Sequence, residues 1–316
     1  MTTRATLTSV TNTRTERISG GRLIGSRWFP FFMLLPSFVL IIFVTGFPLL
    51  YSLYVSFTPY DLLRPQSLAF DISKAFNNYG QLLNDPVFWR ALGNTIVFLT
   101  VTVNLELVLA IGLSQILARV NWGQSVLRVL LMVPMMFAPV LVGFQFRWFF
   151  NDTVGLVNNV LLLLGVQNPP VWLVDEPLGM IAIMIAVIWM NVPVTTIILL
   201  AGTLALPPEL FEAAEVDGAS AWQKFRKITL PLLAPFTYIA LTLRSLDVAR
   251  AYDIVRIMTG GGPGNRTELI WTYVGRLAID SNKFGLGAAM SFITVIISLA
   301  FTVYLFRQLV KVRIVQ

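Results

Sequence analysis

Ionisable side chains inside or at the ends of long apolar stretches include Glu106, Arg244, Asp247 and Arg250. Charge held in an apolar surrounding is costly, so such groups are candidates for a polar solute's path or for ion pairs. On a helix, Arg244, Asp247, Val248 and Ala251 share one stripe, while Arg250 points further round. The alternatives for the arginines are an i, i+3 pair with Asp247 that only fixes packing, and snorkelling toward an interface. Glu106 stands alone among apolar residues, where it is either protonated or paired across to another helix, as a structural contact or as a solute contact. Asn191 and Trp189 add an amide and a flat apolar face, which together suit a solute of mixed polarity. A Trp at the end of a span is also a common interfacial anchor.

A second dense group of polar residues lies between apolar stretches, from Pro207 to Pro231. Pro208 suits a first helical position, the acids crowd the positive N-terminal end, and Gly218 can take the left-handed conformation that ends a helix. Ser220 can then cap a second, basic helix through Ala221–Lys227, expected to stop before Pro231. Ala213 and Ala214 leave a shallow face on which another protein could approach closely, with Glu212 and Glu215 placed to meet cations. The alternative is an amphipathic linker lying on a membrane surface.

The elements that carry these groups follow from composition. Of 316 residues, 56% are apolar and 12% charged, and mean hydropathy is +0.74. Soluble domains carry about 25% charged residues, so lipid is the expected solvent. With no Cys and no His, thiolate chemistry, disulfides, His bases and the usual zinc sites are excluded. Apolar runs predict six spans, at about 29–57, 94–118, 127–148, 178–203, 232–254 and 285–306. A seventh candidate, Thr153 to Val174, keeps a purely apolar core only from Val160 to Val166 and reads as an interfacial helix. With the N-terminus inside, 13 cations fall on the cytoplasmic side and 7 on the other, which places both termini in the cytoplasm. The expected organisation is a flexible cytoplasmic tail at 1–28, a six-span domain at 29–308 with a cytoplasmic loop at 207–231, and a short tail at 309–316.

Glu212-Ala213-Ala214, Asp217-Gly218-Ala219, Ile228-Thr229-Leu230-Pro231 and Pro235 closely resemble the EAA loop of permease subunits in bacterial binding-protein-dependent ABC importers. Trp148-Phe149-Phe150-Asn151 with Gly155 and Asn158, Trp189 with Pro193, and the Thr259–Gly264 turn resemble the sugar-importing, maltose-type upstream permeases. The resemblance runs from about residue 30 to 310. Unlike the maltose permease, this chain has no large domain between its first two spans.

That resemblance implies an all-α, type I ABC importer permease fold in the bacterial inner membrane. It also implies a sugar or polyol cargo, a second homologous permease, two ATPase subunits and an extracytoplasmic solute-binding protein. Glu209, Leu210, Phe211, Glu212, Ala213, Ala214, Asp217, Gly218 and Ala219 then form the coupling segment docked on the ATPase. Arg244, Asp247, Val248, Ala251, Asn191 and Trp189 become the pathway residues. No phosphate-cradling G-x-x-x-x-G-K-[ST] motif occurs, since Asn265 and Arg266 stand where Gly260–Thr267 would need Gly and Lys. The chain is therefore expected to be a transport subunit and no enzyme, binding no cofactor and no nucleic acid, with ATP and Mg on the partner ATPase. Two further readings are an ion-coupled secondary transporter with Glu106, Asp247 and the arginines as relay, and a membrane scaffold without transport.

Overall fold

The computed structural model describes residues 29–314 apart from Asn121. The tail expected at 1–28, and residues 315–316 of the expected C-terminal tail, lie outside the described residues. Among the described residues there is no strand, only an isolated antiparallel bridge between Asp61 and Arg64. Five helices are long and apolar enough to cross a membrane, or six when one bent pair counts as a single span.

Among the described residues, those from Phe29 to Ser52 belong to a unit of their own. There α1 (Phe29–Ile41) passes through a π turn at Ile42–Gly46 into α2 (Phe47–Ser56), and Phe47 stacks against Phe43 at 6.3 Å and Tyr51 at 6.5 Å. Pro48 stands two residues beyond that turn. A proline inside a helix lacks an N–H and crowds the carbonyl four residues back, and a π turn widens the backbone there.

The second unit begins at Leu53. After α3 (Asn77–Leu83) comes α4 (Pro86–Arg119), whose start is set by Asp85 accepting the Val87 N–H at 2.8 Å and by Pro86 in its first turn. Its buried residues Phe98, Thr102, Val103, Glu106, Ala110, Ser114 and Leu117 recur every three or four positions, so one stripe faces inward and carries Glu106 with it.

The third expected span differs from a single helix. It is α5 (Gln124–Met132) and α6 (Pro139–Phe149), bent by 89°, because Pro134 and Pro139 interrupt the hydrogen-bond ladder. In the 153–174 stretch α7 (Leu156–Leu163) has eight residues, too few to span. The rest of that stretch is a loop held by Asn158, which donates to the Asp152 and Pro170 carbonyls and accepts from the Trp172 indole at 2.8 Å.

The apolar helix α8 (Leu178–Leu204) is the central one, with 56% of its most apolar window buried against 28% for α4. Then come α9 (Pro208–Val216), α10 (Ala221–Lys224), a π turn at Phe225–Thr229 and α11 (Leu230–Ala249). Here the expected stop before Pro231 fails. The π turn precedes Pro231 as the earlier one precedes Pro48, so α10 runs on into α11 as one 29-residue stretch, Ala221–Ala249. At its other end α11 stops five residues short of the expected 254, and α12 (Asp253–Met258) starts afresh. The ring of Tyr252 sits where a Cβ on Gly275 would fall, at 2.6 Å. The chain closes with α13 (Ile270–Gly275), a third π turn at Arg276–Asp280 and α14 (Phe284–Ile314). Residues 309–314, expected as a separate tail, continue α14, since neither Gly nor Pro follows Phe306 to end it.

Near the start of α4, the glycine turn after α12 is held through its backbone carbonyls by side chains of that helix. Gly260, Gly261, Gly262 and Gly264 all have positive φ, Asn94 donates to the Arg266 and Glu268 carbonyls at 3.0 Å, and Arg90 donates to the Gly264 carbonyl at 2.8 Å. A Cβ on Gly261 would lie 2.5 Å from the Glu268 carboxylate, so only glycine lets the turn wrap that side chain. Glu268 is 1% exposed, and burial pushes its carboxyl above the ordinary 4.5, although Thr272 and Arg276 oppose the shift. Arg276 lies 3.1 Å from Glu268 and over the Tyr273 ring, and Tyr273 donates to Asp85.

Two outcomes are expected. At Gly285 a Cβ would meet the Thr58 carbonyl at 2.1 Å, whereas at Gly202 it would meet the Phe236 ring at 2.6 Å. Backbone cannot yield as a ring can, so Gly285→Ala lowers the thermal midpoint of the solubilised protein more than Gly202→Ala, whose overpacking costs about 1–3 kcal/mol; equal midpoints would contradict the packing described. For Glu268, a folded-state pKa above the unfolded one favours the protonated form. Its contribution to stability therefore declines as pH rises from the ordinary carboxylate range through the raised value. Glu268→Gln should then gain on the wild type in thermal unfolding as pH goes from acidic to neutral, and a constant difference would count against it.

Candidate functional site

Two groups of residues carry the chemistry, and both lie in the second unit. The first is the α9 segment. Glu209, Leu210, Phe211, Glu212, Ala213 and Ala214 lie on α9, no residue of which is buried. Asp217 caps the helix, Gly218 has φ +73, the Gly218 N–H reaches the Glu215 carbonyl at 3.0 Å and the Ala219 N–H reaches the Ala214 carbonyl at 2.9 Å. These two bonds are the Schellman pattern that a glycine at this position permits.

Across the turn, Ser220 and Gln223 form a reciprocal capping box that starts α10. Lys224 reaches back to Glu215 at 2.5 Å, so α9 and α10 are tied both by backbone and by charge. Behind them lies a cavity of about 490 Å³ bordered by Gln115, Arg119, Thr203, Phe211, Glu212 and Lys224. Gln115 at the end of α4 donates to Thr203 near the end of α8 at 3.0 Å. The segment is thus a short exposed helix, closed by its glycine turn and facing the ends of α4 and α8 across that cavity.

The second group is the set of buried charges. Arg244 on α11 donates through Nε to Glu106 Oε1 at 2.7 Å and through Nη2 to Oε2 at 3.3 Å. Its Nη1 donates to Asp247 Oδ2 at 2.9 Å, and Thr195 on α8 donates to Glu106 Oε1 at 2.5 Å. The side chains of Glu106 and Arg244 are 1% and 5% exposed, while that of Asp247 is 68% exposed. The fork-to-carboxylate geometry satisfies the two buried charges mutually, and Asp247 is left with a face toward open space.

That space is a cavity of about 240 Å³ whose lining includes Asn191, Arg244, Asp247, Val248, Arg250 and Ala251. Five of the six residues read from the sequence as solute-facing therefore come together. The sixth, Trp189, does not line this cavity. It packs on Phe146 and Phe137 with centroids 5.5 and 6.3 Å away and borders an apolar groove with Leu105 and Leu109. Sequence reasoning left the partner of Glu106 open and missed Thr195, Tyr252 and Asp253, the last two of which also border the cavity. The available signal was that Glu106 sits on the buried stripe of its own helix and needs a cation from another.

Residues 107–314 match the family described as binding-protein-dependent transport system inner membrane component. The trehalose/maltose transport system permease protein of Thermococcus litoralis is 37% identical over 229 residues, covering 72% of this chain and 76% of that one. The sulfoquinovosyl glycerol transport system permease protein of Agrobacterium fabrum is 32% identical, covering 89% and 91%. A chain of a bacterial alginate ABC transporter, solved with an alginate-bound periplasmic protein, shares the fold with TM-score 0.74 at 21% identity, covering 88% of this chain and 92% of that one. The chain belongs to the family of binding-protein-dependent transport system inner membrane components, the multi-pass permeases of ABC importers.

Proposed function

We propose that this chain, with a second homologous permease, forms the alternating-access path by which an ATP-driven importer takes up a sugar or related polyol. Two separate ATPase subunits holding ATP and Mg supply the energy, and an extracytoplasmic solute-binding protein delivers the cargo. The observation that carries the reading is the α9 segment, an exposed helix locked by its glycine turn and by Glu215–Lys224. A joint between two chains must be stiff and must show its surface. The family resemblance and the names of the relatives support the sugar class.

Force would travel as follows. With both termini and the 207–231 loop on the cytoplasmic side, α9 meets an ATPase cleft through Glu209, Leu210, Phe211, Glu212, Ala213 and Ala214. Because α10 continues through its π turn into α11, a displacement of α9 moves α11 as well. Arg244 ties α11 to Glu106 on α4, and Glu106 is also bonded to Thr195 on α8. The three helices then move together as one side of the path, and Asn191, Arg244, Asp247, Val248 and Ala251 line it. The ion-coupled alternative needs its charges free to exchange protons or ions, whereas Arg244 is committed to two carboxylates.

The test uses the importer assembled in its native membrane. Glu212→Lys reverses a charge on the outer helix and should detach the ATPase or abolish solute-stimulated hydrolysis, while the permease still folds. Gly218→Val forces a branched residue into a left-handed conformation at about 1–2 kcal/mol and should lower uptake per ATP hydrolysed. If both variants transport like the wild type, or if the chain purifies without any ATPase and moves solute down an ion gradient, the reading is wrong.

A further inference from the structure

The charges around the Asn191–Ala251 cavity do not all reach a solute. Arg244 has spent Nε and Nη2 on Glu106 and Nη1 on Asp247, and its side chain is almost fully enclosed. Glu106 stands behind the cavity wall, bonded also to Thr195. Asp247 and Asp253, both exposed, border the cavity with Arg250 and Arg244. Counting Glu106 behind the wall with Asp247 and Asp253 on it, three carboxylates stand against two guanidinium groups, and the local formal balance is one negative charge. Without Glu106 the count would be two of each sign, and Arg244 would keep only the exposed Asp247 as its counter-ion.

We infer that Glu106 is a positioning residue that holds the Arg244 guanidinium at the cavity wall and cancels its charge, so that the cavity discriminates against acidic solutes. What the cavity then offers is the Asp247 carboxylate as an acceptor for hydroxyls, Arg250 as a donor and the Asn191 amide. A neutral polyhydroxyl solute can satisfy all three, whereas a carboxylate or sulfonate meets an excess of its own sign in a partly enclosed space, where like charges repel strongly. The two arginines, which by count alone would tolerate an anionic group, therefore do not make this an anion path. The inference rests on the importer reading and adds to it the charge class of the cargo and the residue that sets it.

The experiment is equilibrium binding to the purified complete importer in nanodiscs, without nucleotide or binding protein, using glucose and glucuronate as probes that differ in one group. The wild type should bind glucuronate at least about tenfold more weakly than glucose. Glu106→Gln should shrink that ratio about tenfold, chiefly through tighter glucuronate binding, and Asp247→Asn, which also weakens an acceptor for glucose hydroxyls, should shrink it by a similar factor. The double variant Glu106→Gln/Arg244→Gln removes one charge of each sign and should keep the wild-type ratio. That readout separates charge cancellation from a purely structural tie, which would alter assembly but leave the ratio alone. Should Glu106→Gln fail to assemble, Asp247→Asn and the double variant still decide. An unchanged ratio in Asp247→Asn, or a wild type that binds both probes alike, overturns the inference. Absence of an ATPase from the purified complex is the separate failure of the importer reading, and the inference falls with it.

Discussion

Glu106 and Arg244 are 138 positions apart in sequence and meet at 2.7 Å in the interior of a lipid-facing protein. Neither could be buried there alone. Removing one partner of such a pair leaves an uncompensated charge at a cost of about 3–5 kcal/mol, so the pairing dictates which face of α4 meets which face of α11. Thr195 adds the third helix, because its hydroxyl has Glu106 as its acceptor at 2.5 Å. Around this polar knot the apolar helices follow ordinary packing. Gly202 admits the Phe236 ring of α11 against α8, and Gly143 lets α6 lie on Ile254 and Ile257 of α12.

The knot also joins the two functional groups. One end of the helix trio carries the α9–α10 joint, with Gln115 bonded to Thr203 beside it, and part-way along lies the cavity bordered by Asp247 and Asn191. Rigidity between them comes from continuity of backbone, since a π turn rather than a break follows α10. The same device appears at Ile42–Gly46 before Pro48. In both places the chain keeps a proline in a long helix by widening the turn ahead of it, and a lever survives where a kink would otherwise form.

Much of this was legible in the residues. Long uncharged runs marked the spans, because nothing but lipid or a deep core tolerates them. Gly218 and Ser220 announced the turn and cap of the α9 segment, because only a few residue types fit those backbone positions. What stayed hidden depended on tertiary partners. Pro231 read as a stop, since a π turn has no signature in local propensity. The bend at Pro134 and Pro139 was missed because apolar content continues across it, and hydropathy does not register direction. Glu106 was visible as an oddity but its partner was not, because either Arg244 or Arg250 could have served, and the helical stripe alone does not say which faces α4. Trp189 was grouped with Asn191 by proximity in sequence, yet two positions along a helix turn a side chain by more than half a circle from its neighbour's direction.

The absence of cysteine from the chain makes a direct test of the joint simple. A single Ala213→Cys change gives one reactive thiol on the exposed helix α9, to be coupled to a maleimide–benzophenone reagent in native membranes, irradiated so that the ketone inserts into a neighbouring C–H bond, and resolved by mass. The account predicts one dominant adduct, between this chain and a nucleotide-hydrolysing subunit, formed at a rate that changes when ATP is added. Adducts formed only with lipid or with other permease chains, or a rate indifferent to ATP, would contradict the claim that α9 is where hydrolysis on another subunit becomes movement in this one.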